Sequence, residues 1–173
     1  MKNLFLMRHG ESGLIDGGIN DFERSISENG KIKTSLISKE LKSKKMKFDI
    51  VFTSPAKRTL QTVELLKRYG IIEGCEILED QDLYEGSLEN FILRLQSIER
   101  IYDSILIVTH EPNIHWFINF FFDYTNKDYL KVSKINFFTS SISHLVFATK
   151  SWKEISNINC RFDNFFNPNN LTY

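Results

Sequence analysis

The sequence contains only two cysteines among its 173 residues. Cys75 and Cys160 lie far apart, so they do not form the closely spaced pairs that are typical of a disulfide framework or a zinc site. Proteins with so little cysteine are usually found in reducing compartments. We therefore predict a cytoplasmic location and no metal site.

Net charge and long apolar runs are also absent. The 22 Lys and Arg residues balance the 22 Asp and Glu residues, so no long-range field draws the chain to nucleic acid or to an anionic membrane. The run before Arg8 and the run Trp116–Phe122 are much shorter than a signal-peptide core or a membrane span. We expect neither a nucleic-acid nor a membrane partner, and we predict that Trp116–Phe122 is a buried helix.

The length and the apolar pattern predict a single domain over residues 1–173. Continuous apolar runs are typical of strands that are covered on both faces. Three such runs and one weaker candidate are present: Leu4–Met7, Ile50–Phe52 and Ile105–Val108, with Glu76–Leu78 as the weaker one. These runs predict a sheet whose strands are mostly parallel.

Segments with helical spacing lie between the predicted strands. Ser27 and Ser87 are candidate N-caps, the pair Ser54-Pro55 is typical of a cap followed by proline in the first turn, and Pro112 opens a further helix. Alternation of strands and helices places helices on both faces of a parallel sheet. The predicted fold is therefore a three-layer α/β/α sandwich.

The last third of the chain has a different pattern. Ser141–Phe147 and the region of Trp152 predict two strands joined by a turn at Lys150-Ser151. This hairpin would give the sheet an antiparallel edge. From Asn157 onward the chain is rich in asparagine and phenylalanine, and we predict irregular structure there.

Residues suited to binding phosphate follow three of the predicted strands. Arg8 and His9 follow the first, Arg58 lies one helical turn after the second, and His110 follows the last. The carboxyl ends of parallel strands share one edge of a sheet, where ligands bind in open α/β proteins. Guanidinium offers a planar fork of donors to an oxyanion, and imidazole can supply a lone pair. The pattern predicts an oxyanion site at this edge.

Four segments together resemble, in order, the motifs of the histidine phosphatase superfamily (phosphoglycerate mutase-like), and within it the SixA-like phosphohistidine phosphatases. They are Arg8-His9-Gly10-Glu11-Ser12, then Asp21 and Arg24 before Ser27-Glu28-Asn29-Gly30, then residues 48–62, and Val108-Thr109-His110-Glu111-Pro112. The resemblance implies a metal-independent phosphatase without a cofactor. Its implied substrate is phosphohistidine of a signalling or phosphotransfer protein.

The resemblance also implies roles for single residues. His9 would be the nucleophile and would carry the phosphoryl group until water removes it. Arg8, Arg58 and His110 would bind the phosphoryl oxygens and stabilise the transition state. Attack requires one unprotonated ring nitrogen on His9, and a backbone carbonyl in the loop that follows would best hold the other nitrogen.

Three roles stay open. Glu85 and Glu111 each match a position that carries the proton donor in one branch of the superfamily; we favour Glu85, although a leaving imidazole needs little help from an acid. Ser12 either hydrogen-bonds phosphate or caps the loop. Arg24 either reaches the pocket rim or pairs with Asp21 and holds the loop.

Two departures from the superfamily's mutases reduce the expectation of mutase activity. Leu14–Gly18 stands where the mutases carry a tryptophan-asparagine pair, and the connection before Glu85 is short. The alternatives are a phosphomonoesterase or mutase acting on a small phosphorylated metabolite, and a catalytically idle domain that binds phosphorylated partners. We interpret His115 and His144 as structural residues.

Overall fold

The computed structural model describes residues 1–13 and 20–172. The segment Leu14–Gly18, on which the comparison with the mutases depends, lies outside the described residues.

A six-stranded sheet with the order β3-β2-β4-β1-β5-β6 forms the centre of the fold. Its strands are β1 (Lys2–Arg8), β2 (Ile50–Thr53), β3 (Glu76–Glu79), β4 (Ser104–Thr109), β5 (Ile142–Phe147) and β6 (Cys160–Phe166). The first four run parallel to one another, whereas β5 runs antiparallel to β1 and β6 antiparallel to β5. The mostly parallel sheet and its antiparallel edge confirm the predicted fold class.

Helices cover both faces of this sheet. They are α1 (Glu28–Ser43), α2 (Lys57–Arg68), α3 (Leu88–Ser97), α4 (Asn113–Phe121) and the short α5 (Tyr129–Val132). The hydroxyls of Ser27 and Ser87 cap α1 and α3, as the sequence predicts. The prediction for α2 was wrong: its N-cap is Ala56, and no side chain caps it.

Successive residues of β1 point into two different apolar cores, because side chains alternate across a strand. Phe5 and Met7 pack with the apolar side chains of α1 and α2 on one face. Leu4 and Leu6 pack with those of α3 and α4 on the other. The three layers that the sequence predicts are therefore present.

Helix α4 is only half buried, which corrects the prediction for the aromatic run. Phe117 and Phe121 lie in the core, but Trp116 and Phe120 are 45% and 44% exposed. The helical repeat turns these two side chains away from the sheet. Among the described residues, no helix has both the length and the apolarity required to span a membrane.

The C-terminal prediction was partly wrong. The second strand of the antiparallel edge is β6, which falls in the tail predicted to be irregular, and not the region of Trp152. Trp152 begins a 3₁₀ helix and is fully buried, and its indole N–H donates to the Tyr102 carbonyl at 2.7 Å. A buried indole with a satisfied N–H anchors this connection without a strand partner.

Gly30, in the first turn of α1, lies against the loop that follows His9. A Cβ added at Gly30 would overlap the carbonyl oxygen of Glu11 and lie 2.7 Å from its amide nitrogen. We expect Gly30→Ala to lower the free energy of unfolding by about 1–3 kcal/mol, because the two backbones must move apart. Urea denaturation monitored by circular dichroism measures the change.

Gly13→Ala is the matched control. Among residues 1–13 and 20–172, a Cβ at Gly13 meets no atom within 4 Å, so we expect a change within about 0.5 kcal/mol. Equal effects at the two glycines would contradict the role given to the close approach at Gly30.

Candidate active site

The carboxyl ends of β1, β2 and β4 lie side by side. Arg8 is opposite Thr109 in the β1–β4 pair, and Thr53 is opposite Val108 in the β2–β4 pair. The residues that follow these strands consequently emerge at one edge of the sheet. This is the convergence predicted from the sequence.

The backbone at the end of β1 is held from two sides. The amide of His9 donates to the Thr109 carbonyl at 2.9 Å, and the amide of Arg8 donates to the Ser141 carbonyl at 3.1 Å. The amide of Ser140 donates back to the carbonyls of Arg8 and His9. The nucleophile candidate therefore stands on a part of the chain that is fixed on both sides.

A cavity of about 370 Å³ opens at this edge. Most of the predicted site residues line it, together with residues that the sequence did not single out. The lining residues are Arg8, His9, Glu11, Ser12, Asp21, Arg24, Arg58, His110, Glu111 and Thr139. Glu85 is exposed and is not among them.

Hydrogen bonds define the tautomer of His9. Its Nδ1 lies 2.7 Å from the Gly10 carbonyl oxygen, and because a carbonyl only accepts, Nδ1 carries the hydrogen. Its Nε2 lies 3.3 Å from Nε of Arg58, which donates to it. The lone pair of the ring is therefore on Nε2, where it accepts from Arg58, and the backbone carbonyl expected from the sequence is that of Gly10.

The electrostatic surroundings keep His9 neutral. Burial lowers its pKa to about 3, and the positive charge of Arg58 acts in the same direction, although the hydrogen bond to Gly10 opposes them. A neutral imidazole with a lone pair on Nε2 is the form that can attack phosphorus.

Arg58 is buried in the first turn of α2 and is held by Asp21. One terminal N–H donates to the Asp21 carbonyl at 2.7 Å and another to the Asp21 carboxylate at 3.0 Å. Tyr84 and Arg24 donate to the same carboxylate at 3.3 and 2.9 Å. Desolvation raises the pKa of Asp21, but the hydrogen bond from Arg24 and the charge of Arg58 outweigh it, so the net pKa is lowered.

The sequence predicts Asp21 only as a partner for Arg24, whereas the structure also places it against Arg58. Both proposed roles of Arg24 are realised. Arg24 lines the cavity, and it donates to the Gly13 carbonyl as well as to Asp21. Ser12 also lines the cavity and forms an isolated β-bridge with Ile26.

Arg8 and His110 bring unused hydrogen-bonding groups to the cavity. One terminal N–H of Arg8 donates to the Phe137 carbonyl at 2.7 Å, but its buried Nε has no partner among residues 1–13 and 20–172. Neither ring nitrogen of His110 makes a hydrogen bond of good geometry in that part of the chain. Buried groups left without partners are uncommon, and a bound anion would satisfy them.

The pKa of His110 is lowered to about 4, mainly by burial and then by the charge of Arg58. The Leu83 carbonyl opposes this shift, although it is also occupied by the side chains of Thr109 and Asn113 at 3.0 and 2.7 Å. His9 and His110 lie edge to face with their ring centroids 5.6 Å apart.

In the described part of the chain, no group of three or more His, Cys, Asp or Glu residues is arranged to hold a metal ion.

The lowered pKa values of His9 and His110 predict how stability depends on pH. The folded state keeps His9 neutral down to about pH 3 and His110 neutral down to about pH 4, whereas the unfolded state protonates both near their ordinary pKa of 6.5. The unfolded state thus binds more protons in this window, so the free energy of unfolding falls as the pH decreases from about 6.5. Urea denaturation at several pH values tests this.

Acidic side chains also titrate in this window, so the comparison is made with His9→Gln. This variant cannot take up the proton in either state, and we expect its stability to fall less steeply between pH 6.5 and pH 4. Identical slopes for the two proteins would contradict the neutral state of His9.

Comparison with known proteins identifies the family. The model of the histidine phosphatase superfamily (branch 1) matches residues 4–94, which is more than half of the chain. That range contains Arg8, His9 and Arg58. No curated protein matches the chain.

Solved structures share the fold over nearly the whole chain. The protein histidine phosphatase SixA complexed with tungstate is 23% identical, with a TM-score of 0.76 over 97% of this chain and 98% of that one. The candidate phosphohistidine phosphatase SixA from Agrobacterium tumefaciens is 21% identical, with a TM-score of 0.78 over 96% and 98%. The corresponding candidate from Nakamurella multipartitia is 19% identical, with a TM-score of 0.80 over 96% of each chain.

At these identities the structural similarity establishes the fold, and the matched family model establishes the family of the chain. The fold match and the family match agree with each other. Both are consistent with the arginine and histidine residues that meet at the sheet edge. The chain belongs to the histidine phosphatase superfamily, branch 1.

Proposed function

We propose that this protein is a phosphatase that forms a phosphohistidine intermediate on His9 and acts on phosphohistidine of a signalling or phosphotransfer protein. The observation that carries the proposal is the unprotonated Nε2 of His9, which lies at the cavity beside Arg58. A neutral imidazole next to guanidinium groups combines a nucleophile with an anion site.

The first step is in-line attack of Nε2 on phosphorus. The new N–P bond forms as the bond to the leaving group breaks, while Nδ1–H stays on the Gly10 carbonyl and stabilises the positive charge that develops on the ring. Arg58 Nε–H occupies the lone pair at 3.3 Å in the free protein. It therefore has to move from Nε2 to a phosphoryl oxygen as substrate enters.

Charge stabilisation comes from three side chains. Arg8, Arg58 and His110 line the cavity, and the free N–H groups of Arg8 and His110 fit the equatorial oxygens of a transferring phosphoryl group. Removing one such donor typically costs on the order of 3 kcal/mol in the barrier. In the second step, water attacks phosphorus and restores neutral His9.

Two considerations support the proposed substrate class. A phosphohistidine substrate loses an imidazole, which leaves readily, so the reaction makes small demands on a proton donor. The related solved structure with tungstate is named as a protein histidine phosphatase. Both points support a phosphorylated protein as substrate. A small phosphorylated metabolite is the second candidate, and the carboxyl group of Glu111 at the cavity favours it.

The test is labelling with a radioactive phosphohistidine protein. We expect acid-labile label on the wild type and none on His9→Ala, whose turnover should fall by at least about a thousandfold because the nucleophile is gone. Excess chelator should not change the wild-type rate. The control is His144→Ala, which removes a buried imidazole outside the cavity and should keep the label.

Two outcomes would reject the proposal. Unchanged turnover in His9→Ala would exclude the intermediate. Binding of the phosphoprotein without any turnover by the wild type would show an idle binding domain instead. Faster hydrolysis of sugar phosphates than of phosphohistidine protein would favour the small-metabolite alternative.

Asp21 gives a separate prediction about Arg58. Its carboxylate orients Arg58 but also puts a negative charge on the wall of an anion site. We expect Asp21→Asn to lower kcat by roughly tenfold or more, since misplaced catalytic groups lose rate. Inorganic phosphate should bind as tightly as before or more tightly, because like-charge repulsion is removed. Steady-state kinetics and calorimetry measure the two effects.

Weaker phosphate binding with unchanged kcat would contradict this account of Asp21. Glu64→Gln is the control, since Glu64 pairs with Arg68 on the exposed surface of α2 at 3.5 Å, where both side chains are about two-thirds exposed.

A further inference from the structure

A groove lies between the first turn of α3 and the outer face of α4. It encloses about 520 Å³, and Leu88, Trp116 and Phe120 give it an apolar lining. Trp116 and Phe120 lie one helical turn apart on α4, and each side chain is nearly half exposed. Exposed aromatic side chains that lie together on a concave surface are typical of a protein-binding site.

The two aromatic side chains are held from the inside. Phe120 packs edge to face on Phe121, with ring centroids 4.9 Å apart, and Phe121 is fully buried. Trp116 also lines a small cavity beneath the groove, together with the buried side chains of Phe91 and Phe117. Because both rings are already packed on one side, little conformational entropy is lost when a partner covers the other side.

The groove adjoins the active site, because one segment forms the wall between them. Tyr84 lies on the side of the active site, where its ring contacts that of His110 with centroids 5.6 Å apart. Gly86, two residues later, lines the groove. Helix α4 joins the two regions a second time, since it begins three residues after His110 and carries Trp116 in its first turn. A molecule seated in the groove therefore lies beside the active site.

The charged residues at the groove are acidic. Glu89 lines it, and the exposed Glu85 is the neighbour of Gly86. None of the described residues that line the groove is a lysine or an arginine. This surface therefore attracts a cationic segment and repels an anionic one.

The walls of the groove favour a helix as its occupant. They are formed by α3, α4 and the residues directly before α3, whereas the edge strands of the sheet, β3 and β6, lie outside the lining. An extended segment would therefore find no strand to pair with. A helix satisfies its own backbone hydrogen bonds and presents apolar side chains at four-residue spacing, which matches the spacing of Trp116 and Phe120.

We propose that this groove is the docking surface for the phosphorylated protein, and that it binds a helix whose apolar face is flanked by lysine or arginine. The inference rests on the proposed function and adds a partner to it: a protein that carries its phosphohistidine close to such a helix. Docking on Trp116 and Phe120 brings the phosphoryl group to the adjacent cavity. Free phosphohistidine has no part that could occupy the groove.

The test uses two tryptophan-free helical peptides that differ only in charge. Each has an apolar face and one histidine that is phosphorylated with phosphoramidate; lysine flanks the apolar face in the lysine peptide, and glutamate flanks it in the glutamate peptide. We expect kcat/KM to be at least about tenfold higher for the lysine peptide, because its charge complements that of the groove.

Groove variants separate docking from chemistry. Trp116→Ala and Phe120→Ala should each lower kcat/KM on the lysine peptide by about tenfold, mainly through KM, because each removes an aromatic anchor. Both variants should hydrolyse free phosphohistidine at the wild-type rate. Leu93→Ala is the matched control, since Leu93 is 64% exposed on α3 but does not line the groove, and it should change neither rate.

Glu89→Lys tests the charge of the groove directly. The variant should reduce or reverse the preference for the lysine peptide over the glutamate peptide, because like charges now repel. Its rate on free phosphohistidine should stay the same. An unchanged preference would contradict the role given to Glu89.

Tryptophan fluorescence gives a readout that needs no turnover. The chain has two tryptophans; Trp152 is fully buried, whereas Trp116 is exposed in the groove. Docking of the lysine peptide should therefore shift the emission of the wild type to the blue and leave that of Trp116→Phe unchanged. The glutamate peptide should cause a smaller shift at the same concentration.

Three outcomes would overturn the inference: no blue shift, equal kcat/KM for the two peptides, or equal losses on free phosphohistidine in the groove variants. A wild-type dimer in sedimentation that Trp116→Ala dissociates would also overturn it, because a second copy would then occupy the groove. If the blue shift occurs but neither the peptides nor free phosphohistidine are hydrolysed, the proposed function fails and the groove still binds a basic helix.

Discussion

The geometry of the candidate active site depends on the contact between a buried arginine and a neutral imidazole. Arg58 donates to Nε2 of His9, so this contact holds the imidazole in one tautomer; burial lowers the pKa of His9 most, and the charge of Arg58 lowers it further. A guanidinium that is almost fully buried is stable only when a partner compensates the lost hydration. Asp21 supplies that partner through its carboxylate and its carbonyl. Asp21, Arg58 and His9 therefore form one electrostatic unit.

Much of the fold could be predicted from the sequence because its signals are local. Ser27 and Ser87 cap helices through contacts three residues away, and apolar runs mark the strands of the sheet centre. β6 is harder to predict, because the asparagine and phenylalanine content of the tail indicates irregular structure whereas its alternation indicates a strand. Cys160 and Phe162 are buried while Arg161 and Asp163 are not, and this pattern is typical of a strand with one face on the core.

Some residues of the candidate site could likewise be predicted from local signals, and others could not. Arg8, His9 and His110 were predictable because they follow their strands directly, and Arg58 because it lies in the next helical turn. Asp21 stands 37 residues from Arg58, and no local pattern reports a contact of that range. The contact between Glu111 and His115 does have a readable signal, because four residues separate them and this spacing brings side chains together around a helical turn.

His9 follows a strand end that is hydrogen-bonded on both sides. β1 is bonded to β4 on one side and β5 on the other, and its last residues are tied to Thr109 and Ser140. In the proposed reaction, His9 is therefore held in place, and the phosphoryl group has to travel to it. The proposed site would then select substrates by how far their phosphoryl group projects. A phosphorylated side chain would react only when its carrier lets it reach the depth of the Nε2 atom.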